Sequence, residues 1–458
     1  MSAIITLSVL GILVLYLGIF NFKKILLPVI LLGLTAAFVL LGTNTGNILA
    51  ADMHMLVFDA PARAFGCLLI LITAGVFSLT PGNMEYATKF RQDVFGLMIF
   101  SLIGGIMMVS YGNLITLFLG IETLSIPLYV MVGSKRSDLK SNEAAMKYFL
   151  LGAFATGFLL FGIALIYGAT GSFDFRVIAE QCLTLEGNVS SWFEIGVLLL
   201  LIGLSFKVSA APFHFWAPDV YDGAPTIITT YMSTVVKIAG FGALVRFTRG
   251  GFPDMHVFGQ FTFILAALTM TIGNFVATQQ KSIKRMLAYS SIAHAGYMLI
   301  AIHCSTNASL INIFIYAFAY SLASLVMFGV FMAIADKYEL AEVDSFNGLS
   351  KKNPLVAICA SIALLSMAGI PITAGFFGKY YIFASAIDSN YFMIVIIAML
   401  NSLVSLYYYL KLIIAMFFKE GSNDVSEKIP ALHYFVIIGC TILNILIGLY
   451  PNKLMMLF

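Results

Sequence analysis

The sequence predicts an all-α polytopic membrane protein with about fourteen transmembrane helices. Of its 458 residues, 60% are hydrophobic and only 10% are charged, whereas soluble domains carry about 25% charged residues. Apolar runs of about 17 to 25 residues, long enough for a helix to cross the hydrocarbon core, recur along the chain. Because the polar segments between them are short, we expect a single membrane domain over 1–458.

The expected spans follow the apolar runs in chain order. The first run, Ile4 to Phe20, is closed by Lys23 and Lys24 without a small-residue cleavage site, so it is expected to remain as a helix. The later spans are expected near 25–42, 62–80, 94–110, 113–132, 144–168, 192–211, 226–247, 257–278, 286–303, 308–335, 354–384, 391–418 and 433–450.

Charge along the chain indicates partners and orientation. The net charge of +3 is small for this length, so the sequence favours the lipid bilayer as surroundings and no nucleic acid as partner. An even number of spans puts both termini on one side of the membrane. Placing them on the periplasmic side leaves most lysines and arginines in the inner loops, as the positive-inside rule requires.

Five lysines fall inside predicted spans, where a charge at the bilayer centre costs about 2.5–3.5 kcal/mol. Two of them, Lys147 and Lys411, lie nearer a span end, where a lysine stem can reach the interface. The other three, Lys207, Lys237 and Lys379, lie deeper. Each could form an ion pair that only fixes helix packing, but a role in proton transfer is the better explanation.

Two further ionisable residues lie near the middle of predicted spans. Glu122 is the natural counter-ion for a buried lysine such as Lys207, and the two are expected at similar depth. His294 lies about 13 Å beyond Arg285 along a helix that rises 1.5 Å per residue. It could relay protons, or it could simply bond to a neighbouring hydroxyl.

Helix breakers cluster beside two of the buried lysines. Pro212, Pro218 and Pro225 follow Lys207, and Gly369, Pro371, Gly375 and Gly378 precede Lys379. Proline removes a backbone donor and interrupts the helix. Two broken helices in corresponding halves of a chain are typical of a transport site and favour an internal repeat of five spans.

Four ordered motifs carry a resemblance to a known family. They are GIETLS at 120–125, KVSAAPFHFWAPDVYDGAPT at 207–226, KRMLAYSSIAH at 284–294 and GIPITAGFFGK at 369–379. With these motifs the chain resembles the antiporter-like subunits of respiratory complex I over nearly its whole length. That family is shared with cation/proton antiporter complexes and membrane-bound hydrogenases.

The resemblance implies two inverted five-helix repeats, at 94–247 and 257–418, between N-terminal helices at 1–80 and a C-terminal helix at 433–450. It also implies roles for individual residues along a proton path. Glu122 and Lys207 would form the pair of the first half-channel, Lys237 would bridge inward, Lys284 and His294 would continue the axis, and Lys379 would end the second half-channel. The loop assignment above instead places Lys284 at a cytoplasmic end.

The resemblance further implies a proton-translocating subunit of a bacterial inner-membrane NADH:quinone oxidoreductase, and Lys379 favours the N-type branch. Such a subunit carries no metal and no cofactor itself, while NADH, FMN, iron–sulfur clusters and quinone belong to partner subunits. Its partners would be neighbouring antiporter-like and small membrane subunits. Two alternatives stay open: a cation/proton antiporter subunit of an Mrp-type complex, and a scaffold whose buried charges only pack helices.

Overall fold

A computed structural model of the chain describes residues 1–20, 22–43, 55–82, 91–184, 191–249, 256–335, 342–420 and 429–451. Apart from three isolated β-bridges, the regular structure of these residues is helical. The α-helices are α1 (Ser2–Ile19), α2 (Lys23–Gly42), α3 (Ala60–Ser78), α4 (Arg91–Ser110), α5 (Leu114–Val132), α6 (Leu139–Thr170), α7 (Phe175–Thr184), α8 (Ser191–Lys207), α9 (Trp216–Gly223), α10 (Thr226–Tyr231), α11 (Lys237–Thr248), α12 (His256–Thr278), α13 (Ile283–Cys304), α14 (Asn307–Ala335), α15 (Leu349–Lys352), α16 (Pro354–Ala368), α17 (Ala374–Asp388), α18 (Phe392–Phe418) and α19 (Ala431–Leu449).

The helix count agrees with the expected multi-pass architecture. Within the described ranges, twelve helical segments are long and apolar enough to cross a membrane. The two remaining expected spans, 192–211 and 354–384, correspond to shorter helices: α8, followed by α9, and α16, followed by α17. The prediction of about fourteen transmembrane helices, two of them broken, is thereby confirmed, while the repeat boundaries at 94–247 and 257–418 stay a prediction.

Both helix breaks have a local chemical cause. The α8 helix ends at Lys207, because Ser209 adopts a left-handed backbone with φ of 55° and Pro212 follows without a backbone N–H. The α16 helix ends at Ala368, because Gly369 adopts a left-handed backbone with φ of 89° and Pro371 follows. Each break therefore leaves helix-end carbonyls beside a buried lysine.

A continuous helix over Thr226–Thr248 packs inside the bundle and is buried along its length except at Arg246, which is partly exposed. It joins α10 to α11 through one π-helical turn, Met232–Val236, which ends directly before Lys237. Such turns insert an extra residue and are frequent at functional sites. The α13 and α14 helices beside it are also almost wholly buried, whereas most residues of α1, α2 and α6 are only partly buried or exposed.

Candidate functional site

Lys207 is the last residue of α8 and is 3% exposed. Its Nζ donates a hydrogen bond of 2.5 Å to Oγ of Ser125 on α5, and that hydroxyl in turn donates to the carbonyl of Ile121. The rings of Tyr129 and Tyr148 lie 5.7 Å and 6.0 Å from Nζ, within the range of a cation–π contact. Lys207 is thus held by one hydroxyl and an aromatic enclosure.

Glu122 lies one turn before Ser125 on α5 and is half-buried. Its Oε1 accepts a hydrogen bond of 2.8 Å from Oγ1 of Thr156 on α6. The ion pairs formed by the described residues do not join Glu122 to Lys207, although the two charges lie near enough to attract each other. The Ser125 hydroxyl, rather than the Glu122 carboxylate, is the group that binds Lys207 directly.

Lys237 begins α11 directly after the π-helical turn and is 3% exposed. Its Nζ donates a hydrogen bond to the backbone carbonyl of Ser291 on α13. Ser291 and His294 are three residues apart on α13, so the Lys237 ammonium lies about one helical turn from His294. A lysine of the central helix and the histidine of α13 therefore meet at one buried level.

His294 has hydrogen-bond partners on both ring nitrogens. Nδ1 lies 2.7 Å from the hydroxyl of Tyr316 on α14, and Nε2 lies 3.0 Å from the hydroxyl of Tyr409 on α18. The Tyr409 hydroxyl also lies 2.5 Å from Oγ of Ser290. Because an imidazole can accept a proton on one nitrogen and release one from the other, this arrangement suits a relay.

Lys379 projects from α17 at the second helix break and is 5% exposed. Its Nζ donates to the carbonyl of Ala368, the last residue of α16, at 2.9 Å, and to Oγ of Ser402 on α18 at 3.0 Å. The ring of Tyr297 lies 4.7 Å from the same nitrogen. The helix break itself therefore supplies an acceptor for the buried ammonium.

Lys237, His294 and Lys379 form one buried row. The charges of both lysines act on the His294 ring, so the three groups lie close to one another. Lys207 stands on the neighbouring α8, which packs against α11, and Glu122 lies beside Lys207. Four of the six predicted site residues are thus buried in the bundle, and Glu122 lies half-buried beside Lys207.

The sequence of residues 112–405 matches the family described as NADH:quinone oxidoreductase/Mrp antiporter, TM. A relative from Cytophaga hutchinsonii, NADH-quinone oxidoreductase subunit N, is 42% identical, covering 99% of this chain and 99% of its own. Its counterpart from Flavobacterium psychrophilum is 41% identical over the whole of both chains. This chain belongs to the NADH:quinone oxidoreductase/Mrp antiporter family.

Solved structures with the same fold agree with membership in the NADH:quinone oxidoreductase/Mrp antiporter family. A chain of respiratory complex I from Thermus thermophilus superposes with a TM-score of 0.83 at 33% identity, covering 98% of this chain and 97% of its own. A chain of an archaeal membrane-bound sulfane sulfur reductase gives 0.87 at 24% identity, covering 99% and 95%. A chain of the Mrp complex from Dietzia sp. gives 0.85 at 18%, covering 100% and 95%. The last two show a shared fold.

Lys284 is the sixth predicted site residue, and its hydrogen bond is to a group outside the row of Lys237, His294 and Lys379. It sits in the first turn of α13 and is half-buried. Its Nζ donates a hydrogen bond of 2.9 Å to the carbonyl of Ala224, which caps the C-terminus of α9. A cation is favourable at that end of a helix dipole. Lys284 thus lies at a helix end, and its role on the proton path stays a prediction.

Sequence reasoning missed an ion cluster around Asp219 on α9. Its carboxylate lies 2.7 Å from Nζ of Lys147 on α6 and 2.7 Å from an Arg285 nitrogen on α13. Lys147 also pairs with Glu143 at 2.7 Å. These pairs tie the half-helix α9 to its two neighbours, so the in-span position of Lys147 has a structural explanation.

The hydroxyl partners of the row were also missed, because serine and tyrosine are common in any membrane helix. The partners lie on other helices than the groups they bind, 22 to 115 residues away in sequence: Ser125, Ser402, Tyr316 and Tyr409. Their spacing gives no signal before the fold is known. In the described ranges, no group of three or more His, Cys, Asp or Glu side chains is placed to hold a metal ion.

Proposed function

We propose that this chain is the proton-translocating membrane subunit N of a bacterial NADH:quinone oxidoreductase. It lies in the inner membrane with both termini on the periplasmic side, beside antiporter-like and small membrane subunits. NADH, FMN, iron–sulfur clusters and quinone are bound by partner subunits, whose electron transfer drives proton movement through this chain. Support comes from near full-length similarity to relatives of that name.

The observation that carries the proposal is the kind of partner each buried basic group has. Lys207, Lys237, His294 and Lys379 bind hydroxyl and carbonyl oxygens of the described residues. A carboxylate in direct contact would fix the charge of a buried lysine, because separating such a pair inside the membrane is costly. Neutral oxygens leave each group free to gain and lose a proton.

Proton movement then proceeds in steps along the row. Glu122, half-buried at the side of the bundle, is where a change of charge in a neighbouring subunit acts first. That change alters the attraction between Glu122 and Lys207, and the Lys207 ammonium releases its proton toward Lys237. His294 passes a proton between its two tyrosine partners to Lys379, from which it leaves on the outer side.

The test is NADH-driven proton pumping by the purified complex in proteoliposomes containing a pH probe. Lys207→Ala and Lys379→Ala are each expected to slow proton transfer on the order of 10²-fold, since a positioned acid or base contributes at least that much. Lys419→Ala is the matched control, because Lys419 is half-exposed and pairs with Asp344 at 3.4 Å outside the row. Normal pumping by normally assembled Lys207 and Lys379 variants would contradict the proposal.

A cation/proton antiporter subunit of an Mrp-type complex is the second candidate, because the matching family includes such antiporters. Co-purification separates the two. A subunit N is expected to purify with flavin- and iron–sulfur-containing proteins and with NADH oxidation. Exchange of Na⁺ or K⁺ for protons by a complex that lacks those proteins would establish the second candidate instead.

A further inference from the structure

A gap separates Lys207 from Lys237, the first residue of the buried row. Lys237, His294 and Lys379 each bind a hydroxyl or carbonyl group of another helix. Lys207 is hydrogen-bonded only to Ser125 among the described residues. A proton that leaves Lys207 for Lys237 therefore needs groups that the row itself does not supply.

Three buried hydroxyl side chains fill this gap. Tyr148 on α6, Tyr221 on α9 and Ser291 on α13 are each 1% exposed or less. The Tyr148 ring lies 6.0 Å from Nζ of Lys207. Tyr148 neighbours Tyr221, and the Tyr221 hydroxyl faces the Ser291 hydroxyl. The three hydroxyls therefore run in order from Lys207 toward Ser291, whose carbonyl holds Lys237.

Two of these hydroxyls are able to turn. The Tyr148 hydroxyl and Oγ of Ser291 are fully buried, and no hydrogen bond of normal geometry to a described residue fixes their direction. Rotation about the C–O bond can therefore aim each hydroxyl at one neighbour and then at the next.

The surroundings hold the tyrosines in place. The Trp216 ring stacks on Tyr148 with centroids 4.6 Å apart and meets Tyr221 edge-on at 6.2 Å. Its Nε1 donates a hydrogen bond of 3.0 Å to the carbonyl of Phe206, next to Lys207. Trp216 therefore fixes both rings relative to the end of α8, which keeps their hydroxyls near the lysine.

We propose that Tyr148, Tyr221 and Ser291 are a hydroxyl relay that carries protons from Lys207 to Lys237. The proposal rests on the proposed function and adds residues to it. In each transfer the Lys207 ammonium loses one N–H bond and the Lys237 amine gains one. Every hydroxyl between them accepts a proton on oxygen and releases its own, so no relay group changes charge. Side-chain rotation brings successive hydroxyls within hydrogen-bonding distance.

The test uses variants that remove only a hydroxyl: Tyr148→Phe, Tyr221→Phe and Ser291→Ala in the complete complex. Each is expected to slow NADH-driven proton pumping about tenfold or more, while the thermal unfolding midpoint stays the same or rises. Tyr231→Phe is the matched control. Tyr231 is also fully buried, but its hydroxyl bonds to the Met98 carbonyl away from the gap, so this variant should pump normally.

Lys207→Ala, measured in the same preparation, separates the two proposals. If it stops pumping while Tyr148→Phe and Tyr221→Phe pump normally, the hydroxyl relay is wrong and the proposed function stands. If Lys207→Ala also pumps normally, the proposed function itself is wrong. Should the hydroxyl variants fail to assemble, their hydroxyls serve folding instead, and the relay is equally overturned.

Discussion

Lys207 and Lys379 lie at the two helix breaks and are equally buried, but different groups hold them. Lys207 binds one side-chain hydroxyl, faces aromatic rings and has the half-buried carboxylate of Glu122 nearby. Lys379 binds a backbone carbonyl freed by the break itself, together with Ser402. The charge of Lys207 therefore responds to a change of charge at the side of the bundle, whereas Lys379 is held by the backbone of this chain.

The largest expected effect tests the backbone packing around Lys379. A Cβ at Gly375 would lie 1.9 Å from the carbonyl oxygen of Ser366, so Gly375→Ala forces α17 away from α16. Overpacking costs about 1–3 kcal/mol or more, and we expect loss of the assembled complex. At the first break, a Cβ at Gly240 would meet only a Val208 methyl, at 2.7 Å, so Gly240→Ala should be milder.

The amount of complex on a native gel and its unfolding temperature measure this difference. Gly439→Ala is the neutral control, since a Cβ there would have no heavy atom within 4 Å. If Gly375→Ala assembles as well as Gly439→Ala, the second break is not held by backbone contact. The contrast between the two lysine sites would then lose its structural basis.

The second prediction compares the hydroxyl partners. Ser125→Ala removes the hydroxyl that binds Lys207, whereas Ser402→Ala leaves Lys379 its bond to the Ala368 carbonyl. A hydrogen bond to a charged group is worth about 1.5–3 kcal/mol. We therefore expect Ser125→Ala to slow proton pumping roughly tenfold and Ser402→Ala by less. Equal losses in the proteoliposome assay would remove the distinction between the two sites.

The smallest expected effect concerns the carboxylate. Thr156→Val removes the 2.8 Å hydrogen bond to Glu122. A hydrogen bond to a carboxylate is worth about 1.5–3 kcal/mol, but solvation of the half-buried Glu122 replaces part of it, and we expect a two- to threefold decrease in pumping. Thr73→Val is the control, because Thr73 bonds only within α3. A decrease in pumping as large as that caused by Lys207→Ala would show that Thr156 has a larger role in proton transfer.

The transmembrane spans were predictable because a helix that crosses the hydrocarbon core needs about twenty apolar residues. Short polar segments in the sequence mark where each span ends. The short helices α7 and α9 were not predictable, since neither is long enough to cross the hydrocarbon core alone. Burial of Lys207 and Lys379 could be read from their depth within spans. Their serine and backbone partners could not, because contacts between distant helices depend on how each helix is rotated.

The π-helical turn at Met232–Val236 changes how the central helix must be read. A regular helix advances about 100° per residue, and the extra residue in this turn offsets the two ends of the helix by about that angle. A helical wheel drawn over all 23 residues of Thr226–Thr248 therefore assigns the wrong faces to one end. A second titratable side chain that is to lie one turn before Lys237 on the same face of the helix must therefore be placed five residues earlier instead of four.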